Sequence, residues 1–529
     1  MHAYGCGFVG IRAATITEVL SKKSNFGPNS LLKSARNFSI QELIYLTSVY
    51  TVAWGPLLLL NKTIFWDDWV FETSSHEVLR NIYSVRGTPY EFWYWSTGWM
   101  LSPLFFRFVT FFSYLIGSIL FGLILFKLPE RIFTRNSIVS IIAISLVLPL
   151  NLARGSNCTS HYALTFLIFH CAWYLMITSK TKLKTSAAFA LFAYSFTTNS
   201  LLFYFIWPFV HFLYLGFKNN YSNKKLILRQ ITLACLPITW FGLKRLLFVP
   251  FGSAAGYNDL IYKYVIIGFL VFFLIALAAL RWYCLEHIAP FADGAKIFLI
   301  LFGITVLASG MLPYFSVGYF PPYVSWNTRH EFLQSSGISI IVLGFSMLIS
   351  SIGMHRIGQY IPKLVIGIAM TASFLYSLSF LNDASKQKTI IDLIAMNSLV
   401  SESSTIIFDD TTTKSNIFDR PYDSTEWTGF LHKAFGDSTR FGLNANQFEI
   451  DRLFNSDFVN NESAFSVPGY VVGKSAILVT IYYLEPVNDS LDDIPLLRYF
   501  AFNRPKLGIR SQFVTKTEIL ARGLADPNL

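Results

Sequence analysis

Long apolar runs separated by short polar stretches dominate most of the chain. They lie near residues 43–60, 101–126, 137–152, 162–178, 185–197, 200–217, 231–247, 262–280, 297–313, 336–353 and 361–381. A helix needs about 20 residues to cross about 30 Å of hydrocarbon, so most of these runs predict membrane-spanning helices. The pair 185–197 and 200–217 reads as one long helix, a re-entrant hairpin or two short spans broken near Thr198 and Asn199. Charge placement chooses among these. With eleven spans and a cytoplasmic N-terminus, the cytoplasmic segments are 1–42, 127–136, 179–184, 218–230, 281–296 and 354–363. They hold 19 of the 28 Lys and Arg residues up to residue 381, the asymmetry expected of the positive-inside rule. Fusing 185–217 into one helix would spoil it.

After residue 381 the pattern changes. Thr389–Leu399 has helical spacing. The run Thr405–Phe408 leads into Asp409 and Asp410, and Ala476–Tyr483 is rich in β-branched and aromatic residues, both strand-like. Residues 1–381 carry 28 Lys and Arg against 12 Asp and Glu, a net of +16; residues 382–529 carry 14 against 19, a net of −5. The expected architecture is an all-α polytopic membrane protein of about 11 transmembrane helices, N-terminus in and C-terminus out. It comprises a cytoplasmic segment 1–42, a transmembrane domain 43–381 with a large first outer loop 61–100, and a soluble non-cytoplasmic α/β domain 382–529. The expected location is the plasma (inner) membrane.

Composition supports this reading. Hydrophobic residues make up 53% and charged residues 14%, against about 25% charged in an average soluble domain. A disordered chain, a collagen-like fibre and a disulfide-stapled mini-protein are excluded. Cys6, Cys158, Cys171, Cys235 and Cys284 show no metal-ligand or redox spacing. The net charge of +11 is explained by basic cytoplasmic loops and does not point to nucleic acid. No phosphate-cradling Gly loop and no HExxH is found, which argues against a nucleotide-driven pump.

The first outer loop holds the densest candidate chemistry. It places the acid pair Asp67-Asp68 just after the first span, flanked by Trp66 and Trp69. A carboxylate held among aromatics has a raised pKa and suits a general base. The same residues also read as an interfacial Trp anchor with an Asp helix cap. Glu72, His76 and Arg80 recur at helical spacing, and Pro89–Trp95 is strongly aromatic. Cations gather at the outer ends of the spans: Arg107, Arg154 near His161, Lys244-Arg245, and Arg329-His330-Glu331. An Arg fork suits a phosphate, whereas Lys244-Arg245 also reads as snorkelling to head groups. Ser335, Ser336 and Gly337 predict close helix packing. Asp409-Asp410 reads as a metal site or a polar strand end. Asn61-Lys-Thr63, Asn157-Cys-Thr159, Asn461-Glu-Ser463 and Asn488-Asp-Ser490 are glycosylation triplets.

With its acids after span one, some eleven spans and a C-terminal outer domain, the chain resembles the integral-membrane glycosyltransferases of the C-type fold (GT-C). The Trp-Trp-Asp signature of oligosaccharyltransferase catalytic subunits is missing. The resemblance implies a polyprenyl-phosphate- or pyrophosphate-linked sugar donor and a glycan, lipid or protein acceptor on the non-cytoplasmic face. It implies Asp67 or Asp68 as general base and Arg329, with Arg154 or Lys244-Arg245, as partners of the leaving phosphate. Glu72, His76, His330, Trp66 and Trp69 are candidates for substrate binding, and a role for Mg²⁺ or Mn²⁺ is open. The competing readings are a glycan polymerase or ligase of another membrane fold, a transporter or flippase for a lipid-linked glycan, and a non-catalytic scaffold.

Overall fold

The computed structural model describes residues 37–85, 87–128, 133–179, 181–218, 223–247, 294–315, 326–436, 440–445, 475–484, 506–515 and 518. The expected span 262–280, most of the N-terminal segment and the triplets at Asn461 and Asn488 lie outside them. Among the described residues, six helices are long and apolar enough to cross a membrane: Ile40–Leu60, Pro103–Leu125, Asn157–Thr178, Lys296–Tyr314, Gln334–Ser351 and His355–Ala395. Arg135–Val147 and Ile231–Lys244 are apolar but shorter. Such helices suit a lipid environment.

Helix α1 (Ile40–Gly55) starts at a capping box made by Ser39 and Glu42. Glu42 also receives both arms of the Arg135 guanidinium, at 2.7 and 2.8 Å. The first loop then supplies α2 (Asp68–Thr73), α3 (His76–Val85) and α4 (Glu91–Leu101). Glu72 and His76 therefore do not share one helix, because extended backbone at Ser74 separates them. The bundle continues through α5 (Pro103–Leu125), α6 (Arg135–Val147) and α7 (Ser160–Thr178). Within 185–217 the chain forms α8 (Lys182–Ser195), α9 (Asn199–Tyr204) and α10 (Ile206–Lys218). It leaves helical geometry at residues 196–198, so one continuous helix is excluded there. Helices α11 (Asn223–Leu247), α12 (Gly294–Phe315) and α13 (Gln334–Ser351) follow. Gly337 has the close approach that its small neighbours predicted: a Cβ there would sit 2.5 Å from the backbone nitrogen of Leu307 on α12.

Helix α14 (His355–Ala395) is 41 residues long and joins two layers. Its lower half is tied to the bundle by Ser373 and Ser377, whose hydroxyls donate to the carbonyls of Val147 and Ala53. Its last turns, through Ile390 and Ile394, enter the core of a mixed sheet that has four strands among the described residues. The strands are β1 (Thr405–Asp410), β2 (Phe441–Asn444), β3 (Ser475–Tyr483) and β4 (Leu507–Thr515), in the order β2-β1-β3-β4. β1 runs parallel to β2 and β3, and β3 antiparallel to β4. The side-chain period of two assigns the faces. Ile406 and Phe408 meet Trp427, Ile477 and Val479, while Ile407 meets Ala476, Leu478 and Val514. Helix α15 (Ser398–Ser401) precedes β1. Helix α16 (Ser424–Phe435), begun by the capping box Asp423/Glu426 and ended by left-handed Gly436, fills the β1–β2 connection.

Candidate functional site

Three loops meet at one end of the bundle: 61–73, 150–161 and 326–334. Asp68 is the knot between the first two. Its side chain is fully buried. One oxygen accepts from the Ser156 hydroxyl at 2.6 Å and the Cys158 N–H at 2.9 Å. The other accepts from the Asn157 N–H at 2.8 Å and the Phe65 N–H at 3.3 Å. Burial pushes this carboxyl up, and the donors from 156–158 oppose the shift. All four donors belong to the protein, so Asp68 fixes the loop against the bundle. Asp67 is half-buried and stands at the N-cap of α2 without capping it through its side chain. The helix-cap reading of the pair is thereby corrected.

Trp66 and Trp69 are not membrane-interface anchors. Both are buried in protein. Trp69 lies edge-on to Phe430 of α16, with ring centroids 5.0 Å apart, over Gly429, where a Cβ would sit 2.4 Å from its ring. Trp66 packs edge-on against Phe380 of α14 and holds φ +55°, a left-handed conformation costly for a bulky residue. Glu72 pairs with Lys433 of α16 at 3.3 Å, and His76 meets the edge of Phe92. In the aromatic stretch before α5, Phe92 and Trp95 join an internal cluster, with Trp95 stacked on Phe71 and close to Phe106, whereas Trp93 is exposed.

The cations divide. Arg107 is buried and donates to the carbonyls of Asn61 and Thr63, which braces the first loop. Arg154 donates to the carbonyls of Asn151 and Leu150, and its guanidinium lies 4.0 Å from the Trp54 ring centroid and 4.9 Å from that of Tyr114. It lines a small, narrow cleft with Tyr114, Ser145, Phe166, Glu331 and Ser335 among its neighbours. Arg329 and His330 sit in the adjoining 3-10 turn, outside that lining. His330 faces Tyr314 at 4.2 Å and is pushed down to about 3 by burial and then by Arg329. Lys244 donates to Asn199 at 2.9 Å, and the side chain of Arg245 lies outside the described residues.

Glu331 is the residue that the sequence named without giving it a role. It accepts from the Asn151 N–H at 3.1 Å. Burial pushes it up to about 7, against the pull of that N–H and of Arg154. A carboxyl raised in the fold stabilises it fully below its ordinary range, and that contribution fades as pH rises through 7. Relative to Glu331→Gln, the wild type is expected to lose up to about 3 kcal/mol between pH 4.5 and 7.5. Melting temperatures against pH check this, and parallel profiles for the two proteins would refute it.

A third polar group lies nearby. His161 Nε2 is 3.5 Å from Glu91 and 3.1 Å from the Thr197 hydroxyl, with the rings of Tyr94, Tyr162 and Tyr194 around it. Asn61 and Asn157, the first residues of two glycosylation triplets, are buried. Asp410 is committed to Lys386 at 2.7 Å. Among the described residues no group of three or more His, Cys, Asp and Glu side chains is placed to hold a metal ion. Comparison of the chain with protein families, with curated proteins and with solved structures finds no match.

Proposed function

We propose that the protein is a membrane glycosyltransferase. It moves a sugar from a polyprenyl-(pyro)phosphate-linked donor to a glycan, lipid or protein acceptor, with the loop end of the bundle on the non-cytoplasmic face. The observation that carries this reading is the meeting of the acid-bearing first loop with the Arg154–Glu331 cleft: Asp68 is bonded to Ser156, two residues from Arg154. In the proposed step Asp67 takes the proton of an acceptor hydroxyl. The hydroxyl oxygen forms a bond to the anomeric carbon of the sugar, and the bond from that carbon to the phosphate oxygen breaks. The phosphate leaves with the electron pair towards Arg154. Phosphate is already a good leaving group, so the protein mainly supplies a base, orientation and positive charge. The base role goes to Asp67 because both oxygens of Asp68 are occupied by four donors of the protein's own loops. Glu91, His161 and the surrounding tyrosines supply hydrogen bonds and ring faces of the kind that hold a sugar.

The test is transfer of radiolabelled sugar in membranes containing the protein, with extracted polyprenyl-phosphate sugars as donors. The wild type should transfer and Asp67→Asn should not. No transfer above empty membranes by the wild type, at normal expression, would sink the proposal.

A further inference from the structure

The sheet layer at the end of α14 touches the acid pair through one specific device. Trp66 sits in a left-handed conformation at φ +55°, which costs an L-residue about 1–3 kcal/mol and persists only where its surroundings enforce it. The enforcing groups come from a segment 360 positions further along the chain. The Trp66 N–H donates to Glu426 Oε1 at 3.3 Å. Glu426 is fully buried and is gripped by both arms of Arg420, at 2.7 and 2.5 Å. The Arg420 guanidinium in turn lies 5.5 Å from the Trp66 ring centroid. On the other side of Asp67, Asp68 is bonded to residues 156–158 of the bundle. Asp67 therefore stands between two anchored neighbours, one held by the sheet layer and one by the bundle.

We propose that Arg420 and Glu426 are positioning residues for Asp67: they hold Trp66 in its left-handed conformation, so the sheet layer sets the aim of the first-loop carboxylate. This rests on the glycosyltransferase reading for its activity arm. Its structural arm is independent of that reading. Neither residue touches the donor or the acceptor; they act through the backbone of Trp66. The further contacts of the same seam, Trp69 on Phe430 and Glu72 with Lys433, keep the layer docked while the Glu426 bond to Trp66 aims the carboxylate.

The experiment compares the wild type with Arg420→Met/Glu426→Leu, which removes the ion pair without leaving a buried charge behind. Glu426→Gln is the conservative control, because its amide oxygen still accepts from Trp66. Two quantities are read: amide hydrogen exchange over residues 64–69, and kcat and KM for sugar transfer. In the double variant exchange should quicken at least tenfold. Its kcat should fall about ten- to a hundredfold, as small misplacements of a reacting group do, with donor KM within twofold. Glu426→Gln should stay closer to the wild type on both counts. Unchanged exchange in a folded double variant would overturn the proposal. Quickened exchange with kcat unchanged, or a raised KM alone, would overturn it as well. If the wild type transfers nothing, the glycosyltransferase reading fails, and the exchange rates alone decide whether the ion pair holds the loop.

Discussion

Asp68→Ala is expected to lose its fold, and Asp67→Asn only its transfer, although the two acids are neighbours in sequence. Removing the Asp68 carboxylate strips the acceptor from the Ser156 hydroxyl and from the N–H groups of Asn157, Cys158 and Phe65. A buried donor left unsatisfied costs about 1–3 kcal/mol. The four share one site and do not add fully, so a total of about 3–5 kcal/mol is expected. That is a large part of the 5–15 kcal/mol typical of folded proteins. Detergent-extracted Asp68→Ala should therefore melt far below the wild type or aggregate. Asp67 is less buried than Asp68, and an Asn there keeps the shape and one carbonyl oxygen of the Asp side chain. Its Asn variant should melt within a few degrees of the wild type while transfer falls by about 10²–10⁴, the usual contribution of a general base. A stable Asp68→Ala would show that the carboxylate does not clamp the loop. Undiminished transfer by Asp67→Asn would move the base elsewhere, with Glu331 the first candidate.

The second large effect is expected at Lys386. Its ammonium is buried and donates to Asp410 at 2.7 Å, to the Thr412 carbonyl at 2.8 Å and to Asn416 at 2.6 Å. One turn away Asp383 accepts from the Tyr422 hydroxyl and the Ile417 N–H. These bonds tie α14 to the chain that follows β1. Lys386→Met leaves Asp410 buried without its cation, and breaking such a pair costs about 3–5 kcal/mol. Limited proteolysis should then cut the sheet layer at concentrations that spare the wild type. Adding Asp410→Asn removes the stranded charge and should restore most of the resistance. Equal resistance in the single variant and the wild type would show that the layer is held by its apolar contacts alone.

What the sequence made legible follows from what kind of signal each feature leaves. Apolar runs and loop charges are local, and they gave the helices at Pro103–Leu125 and Gln334–Ser351 and the break near Thr198. The strands at 405 and 476 were visible as β-branched runs and occur as β1 and β3. The close packing at Gly337 followed from its small neighbours. Contacts between distant segments leave no such local mark. Nothing around Trp66 announces Glu426, and nothing around Asp68 announces the turn at 156–158. The acid pair could be singled out as chemistry, but dividing its members into a clamp and a half-exposed carboxylate required the fold. The same applies to the tryptophans, whose place beside an apolar span suits a lipid surface as well as the flank of α16. Glu331 was hidden for a further reason: its raised pKa comes from burial against the turn at Asn151, a tertiary fact.

The unbroken length of α14 has a consequence for how the two layers can move. At 1.5 Å per residue its 41 residues extend about 61 Å, twice the hydrocarbon thickness. The bundle grips it at Ser373 and Ser377, and the sheet grips it at Asp383, Lys386 and Ile390. The helix is thus one continuous spacer between the two grips. Each residue inserted between the two grips would rotate one against the other by about 100°. The seam between Trp69 and Phe430 can form at only one such angle, so the spacing between the grips fixes the phase of the whole assembly.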